Sequence, residues 1–115
     1  MKSYTNLEQS KKLAKILPIE SADMYYFVAD SLEKQEINYA IRCGTPIVKT
    51  DIPAWSLAAL LNVLPQIGGI KPVLDLETNC IQYPSDIELN VTADNPVDAC
   101  YEIIIRLDEL NLLGL

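Results

Sequence analysis

Carboxylates are the side chains of this sequence best spaced for chemistry. Asp75 and Glu77, and again Asp86 and Glu88, stand two positions apart, so on a strand each pair shares one face. Two carboxylates on one face can hold a hard cation such as Mg²⁺ or divide acid and base roles. Asp94 and Asp98 offer a third pair, but at a helix start capping and the helix dipole account for both. The same alternation describes the solvated face of an ordinary strand, which is the reading preferred for an acidic chain. No catalytic residue, metal ligand or cofactor is therefore assigned.

Other chemistries fail earlier. Histidine is absent, which removes the usual general base and the commonest transition-metal ligand. Serine or cysteine nucleophiles activated by histidine, and Cys/His zinc sites, cannot be built from this chain alone. Cys43, Cys80 and Cys100 are odd in number and contain no CxxC pair, so they read as small buried hydrophobes and not as a disulfide framework. Gly68-Gly69 lacks the flanking residues of a phosphate-cradling loop and reads as a turn.

Aromatic residues are the remaining candidates. Tyr25, Tyr26, Phe27 and Tyr39 could stack bases as nucleic-acid-binding sheets do, but the accompanying basic residues are missing. A sheet core is the simpler reading. Trp55 opens a nearly all-apolar segment, and aromatics are enriched in interface cores. Core burial is preferred for it, with contact to a partner as the alternative. Trp55, Tyr25 and Tyr39 are the interaction residues to inspect.

The elements that must position these residues follow from periodicity. Thr5 and Glu8 have capping-box spacing before an amphipathic helix that Pro18 stops. Met24 to Ala29 and the alternating Ile37, Tyr39, Ile41 and Cys43 predict an antiparallel hairpin, broken over Asp30 to Gln35. A helix is expected from about Pro53 to Leu64, with only Ser56 and Asn62 polar after Ala54. So apolar a helix should be the central and most buried one. Val73 to Glu77, Asn79 to Tyr83 and Asp86 to Thr92 read as three short strands, and Asn95-Pro96 opens a last helix with an apolar stripe. The expected fold is one α+β domain over residues 1–115, in the order α-β-β-α-β-β-β-α. It has an antiparallel sheet of four to five short strands, and three helices around two strand groups.

Charge narrows the partners. Residues 1–15 hold four lysines against one glutamate (+3), and the rest holds five basic against fifteen acidic residues (−10). Such a body repels phosphate backbones and favours basic partners, so nucleic acid is disfavoured. Three lysines near the end of the first helix suit its dipole. The N-terminal stretch lacks the apolar core of a signal peptide, and no apolar run reaches the length of a bilayer span, so a cytoplasmic protein with no membrane partner is expected.

Two stretches, Ile52-Pro53-Ala54-Trp55-Ser56 running on to Leu64-Pro65, and Ala93 to Glu102 with its Asp94-Asn95-Pro96-Val97-Asp98 opening, resemble a family of small uncharacterised proteins encoded in gut anaerobe genomes, often within prophages or other mobile elements. The segment Leu17 to Tyr26 is similar to that family's start. The resemblance implies a bacterial or phage origin and an accessory role, and it carries no activity, cofactor or site residue. A non-enzymatic protein–protein interaction protein, with a homodimer as one form, is the leading expectation. An acidic inhibitor or nucleic-acid mimic is one rival. The other is a carboxylate-based metal-dependent enzyme using Asp75, Glu77, Asp86 or Glu88.

Overall fold

Asn6, not Thr5, opens the first helix, α1 (Leu7–Leu13). Asn6 Oδ1 accepts from the Gln9 N–H at 2.8 Å, and Gln9 Oε1 accepts from the Asn6 N–H at 3.0 Å, a reciprocal box shifted one residue from the expected one. Thr5 is displaced inward: it is fully buried, and its hydroxyl lies 2.7 Å from that of Ser10. The computed structural model describes residues 2–30, 38–84 and 89–114. The break expected over Asp30 to Gln35 falls, beyond Asp30, outside the described residues, as do Asp86, Ile87 and Glu88.

A single 3-10 turn (Ile19–Ser21) leads into β1 (Met24–Asp30), which pairs antiparallel with β2 (Asn38–Cys43). The expected helix start at Pro53 is instead a third strand, β3 (Ile52–Ala54), antiparallel to β1 on its other side. Proline is tolerated there because β3 is an edge and the missing N–H deprives no ladder partner. Helix α2 (Leu57–Val63) begins only after Ser56, whose side chain accepts from the Ala59 N–H. It ends before Pro65, with Leu64 in the extended conformation that a residue preceding proline prefers.

The second strand group forms its own sheet: β4 (Val73–Asp75), β5 (Cys80–Tyr83) and β6 (Leu89–Thr92), in spatial order β4-β5-β6. The chain is thus α+β, with six strands in two three-stranded antiparallel sheets among the described residues, where one sheet of four to five strands is expected from the sequence. Its order gains β3 before the second helix.

Helix α3 (Pro96–Glu109) opens as its sequence predicts, with Asn95 capping the Asp98 N–H and proline in the first turn. Val97, Cys100, Ile103, Ile104 and Leu107 bury its stripe completely, against β5, β6 and α2. This corrects the expected centre of the fold: α3 is the most buried helix, whereas Ala58, Leu61 and Asn62 of α2 face solvent. An apolar composition did not require enclosure here, because the solvent side is made of small Ala58, polar Asn62 and Leu61, which is 38% exposed.

The main core joins α1, α2, α3 and the inner face of the second sheet, where Ile81 and Tyr83 meet Leu89 and Val91. Among the described residues, the apolar side chains of β1 and β2 do not contribute to it. The molecule is accordingly elongated, 55 × 29 × 21 Å. Its radius of gyration is 15.3 Å, against roughly 13 Å for a compact chain of this length.

Candidate interaction surface

The two sheets dispose of their outer faces differently. In the second sheet, Asp75, Gln82, Asn90 and Thr92 are exposed opposite the buried residues, sharing their face with Val73 and Cys80, a mostly polar outside for a half-buried sheet. In the first sheet, cross-strand register places Met24 opposite Cys43, Tyr26 opposite Ile41 and Val28 opposite Tyr39, with Ile52 and Ala54 beside them on β3. Directly opposite residues share a face. That face carries no charged or amide side chain at these positions.

Only part of it is covered. The N-terminal segment reaches the β3 side: Tyr26 Oη donates to the Thr5 carbonyl at 2.7 Å, and the Tyr4 and Tyr26 rings meet edge to face at 6.5 Å. Ala54 is fully buried there. Towards β2 the cover ends, leaving Tyr39 and Ile41 half-buried, Val28 37% exposed and Cys43 exposed. Among the described residues β2 is also an edge of its sheet, with Arg42 its one charge between Tyr39 and Cys43 and no proline or bulge there to block further pairing.

The opposite face is closed by local contacts. Arg42 lies 4.7 Å from the centre of the Phe27 ring, a cation–π contact, and Tyr25 is buried beside Pro53. Gly44, at φ +125°, turns the chain against the Tyr25 ring, and its N–H donates to the Asp23 carbonyl at 2.8 Å. The loop that follows is held by Asp51, whose carboxylate accepts from the Ile47 and Val48 N–H groups at 2.8 and 3.0 Å. This holds two β-branched side chains in solvent, Ile47 at 78% and Val48 at 57% exposure.

The predicted interaction residues therefore part company. Tyr39 stands on the open face. Tyr25 points to the other one, so the aromatic cluster is split across the sheet. Trp55 has 0% exposure, which places it in the core. Its backbone N–H donates to Thr5 Oγ1 at 3.1 Å, its carbonyl accepts from the Thr5 N–H at 2.9 Å, and its indole N–H donates to Ser21 Oγ at 3.0 Å. Val28 and Ile41 of the open face carry a sequence signal in their β-branched character, which predicts a strand and not whether its face is covered.

The candidate carboxylate pairs dissolve where they can be seen. β4 ends at Asp75, which accepts from the Glu77 N–H at 2.9 Å and so stabilises the turn. Asp98 is occupied structurally: Lys2 Nζ and Gln9 Nε2 donate to its Oδ1 at 2.6 and 2.9 Å, and Asn95 donates to Oδ2. Burial opposes its ionisation, but these donors and the Lys2 charge outweigh it and hold the carboxyl below its ordinary value. Among the described residues no three Cys, Asp or Glu side chains gather as metal ligands. Burial pushes the Cys100 thiol up to about 12, which removes it as a nucleophile at neutral pH.

Among the described residues, no helix is long and apolar enough to cross a membrane. No family model, curated protein or solved structure matches the chain.

Proposed function

We propose that this protein is a non-enzymatic interaction module that self-associates through the β2 edge and the open face beside it. One observation supports the reading: among the described residues the first sheet presents an aromatic and aliphatic face with no second layer over its β2 half, next to a free strand edge. Edge pairing supplies the β2 ladder groups with partners and adds cross-strand contacts along the rim of that face, and a three-stranded sheet with little core of its own gains stability from such neighbours.

A two-fold pairing of β2 with its copy, centred on Ile41, sets Tyr39 opposite Cys43 of the second copy on the open face. It sets Ala40 opposite Arg42 on the other, so the two Arg42 charges do not oppose each other. The result is a continuous six-stranded sheet. The resemblance of Ile52 to Pro65 and Ala93 to Glu102 to mobile-element proteins supports an accessory role for such a module.

Light scattering coupled to gel filtration tests it. A dimer at micromolar concentration that Ile41→Arg converts to a folded monomer is expected, while Val73→Arg on the second sheet leaves the mass unchanged. A monomer up to high micromolar concentration, or a dimer indifferent to Ile41→Arg, overturns the reading.

A further inference from the structure

A second surface, built from α1 and α3 and not from the hairpin, has the opposite character. Between α1 with its following turn and the flank of α3 lies an open groove of about 670 Å³, lined by Gln9, Lys12, Lys15, Ile16 and Tyr101 among others. A shallower extension of about 230 Å³ shares Lys12 and Tyr101 and runs on past Ile105. This falls within the range of pockets that take peptides and small ligands.

Its floor is apolar. Ile16, Tyr101 and Ile105 are half-buried and rest on the main core. The α1 rim carries Lys11, Lys12 and Lys15 with Glu8, and the far rim carries Glu102 and Glu109 with Arg106 between them. Among the described residues the ammonium groups of Lys12 and Lys15 make no hydrogen bond or ion pair, whereas Lys11 lies 3.8 Å from Glu8 and Lys2 is bound to Asp98. The groove is also fixed in advance: the Gln9 and Lys2 bonds to Asp98 tie α1 to the first turn of α3.

On a molecule of net charge −7, two unpaired lysines beside an apolar floor form a local reversal of sign. Charge complementarity then selects the occupant, since an acidic ligand is repelled by most of this surface and attracted here. We infer that the α1–α3 groove docks an acidic peptide segment of a partner protein, with an aliphatic or aromatic anchor on Tyr101 and carboxylates against Lys12 and Lys15. The lysine rim would set orientation, because on the far rim Glu102 and Glu109 outnumber Arg106, whose guanidinium is bonded to the Asn90 carbonyl.

Fluorescence anisotropy with three labelled probes tests this on the intact protein: a peptide of Asp and Glu flanking Leu and Phe, its twin with Lys for every acid, and a single-stranded oligonucleotide. The acidic peptide is expected to bind alone, and to weaken by about tenfold or more in Lys12→Glu/Lys15→Glu and with added salt. Lys12→Arg/Lys15→Arg should retain it, as should Ile41→Arg, which separates this site from the dimer surface. Both lysines lack partners, so circular dichroism should report native folding for the charge variants. Absence of binding, equal binding of the Lys twin, tighter binding of the oligonucleotide, or indifference to the double charge reversal would each overturn the inference.

Discussion

Gln9 and Asp98 stand 89 positions apart in the chain and are joined by a 2.9 Å hydrogen bond from side-chain amide to carboxylate. Lys2 bonds to both of them, at 2.8 Å to Gln9 and 2.6 Å to Asp98, so one carboxylate ties the start of the chain and α1 to the last helix.

Removing that carboxylate should therefore cost more than its partly exposed position suggests. Asp98→Ala is expected to lower stability by about 1–2 kcal/mol, because Asn95, Gln9 and Lys2 all lose an acceptor. The folded carboxyl titrates below its unfolded value, so its contribution is complete above the ordinary carboxylate pKa of about 3.9 and disappears as pH falls through the lower folded value. Urea denaturation of both proteins at neutral and strongly acid pH should show the gap closing in acid. A constant gap would refute the assignment.

Trp55 is the single tryptophan and is fully buried, so it reports on the core. Its emission should be blue-shifted and shielded from acrylamide until unfolding. Trp55→Ala should destabilise by about 3–5 kcal/mol through cavity formation. Free quenching in the native protein would contradict its placement.

The three thiols should differ sharply in reactivity. Cys43 is exposed, Cys80 is half-buried and Cys100 is enclosed with its pKa raised to about 12. Native protein at low concentration should release one equivalent quickly with a disulfide reagent, at Cys43, and Cys100 only on unfolding. Raising the protein concentration should slow the fast phase if β2 pairs with its copy, and Ile41→Arg should restore it.

Helix α2 provides a test of where the second helix starts. Ser56 Oγ accepts from the Ala59 N–H, and the Asp23 carboxylate accepts from the Ser56 N–H at 2.9 Å and from its hydroxyl. Ser56→Ala should cost about 1 kcal/mol as a lost cap. Pro53→Ala should cost less, since Pro53 lies on an edge strand and opens no helix. Thermal unfolding that ranks the two the other way would favour the earlier start.

These helix boundaries show what was legible. The last helix was readable because Asn95, Pro96 and Asp98 each favour the same start. The segment from Ile52 to Val63 was not, because an apolar run without clear period fits strand and helix alike until pairing decides. Pairing with β1 claimed Ile52–Ala54, and only then did Ser56 become the cap. The hairpin was legible from the alternation along β2, but the separation into two sheets depends on contacts between distant residues and has no local signature. The open face suffered the same way: alternation identifies Tyr39 and Ile41 as sharing a side, and cannot say whether anything lies across from it. The groove was less visible still, since the lysines already had a sufficient explanation in the helix dipole.

Pro53 gives the first sheet a polarity of growth. β3, the sheet's other edge, lacks a backbone donor at its middle residue, and Tyr4 and Ser56 form a bridge just beyond its end. Strand addition is thus open at β2 and obstructed at β3, so a second copy that pairs across β2 leaves both outer borders obstructed. Assembly by this route stops at two, and an exposed edge that could seed fibres becomes a finite, countable association.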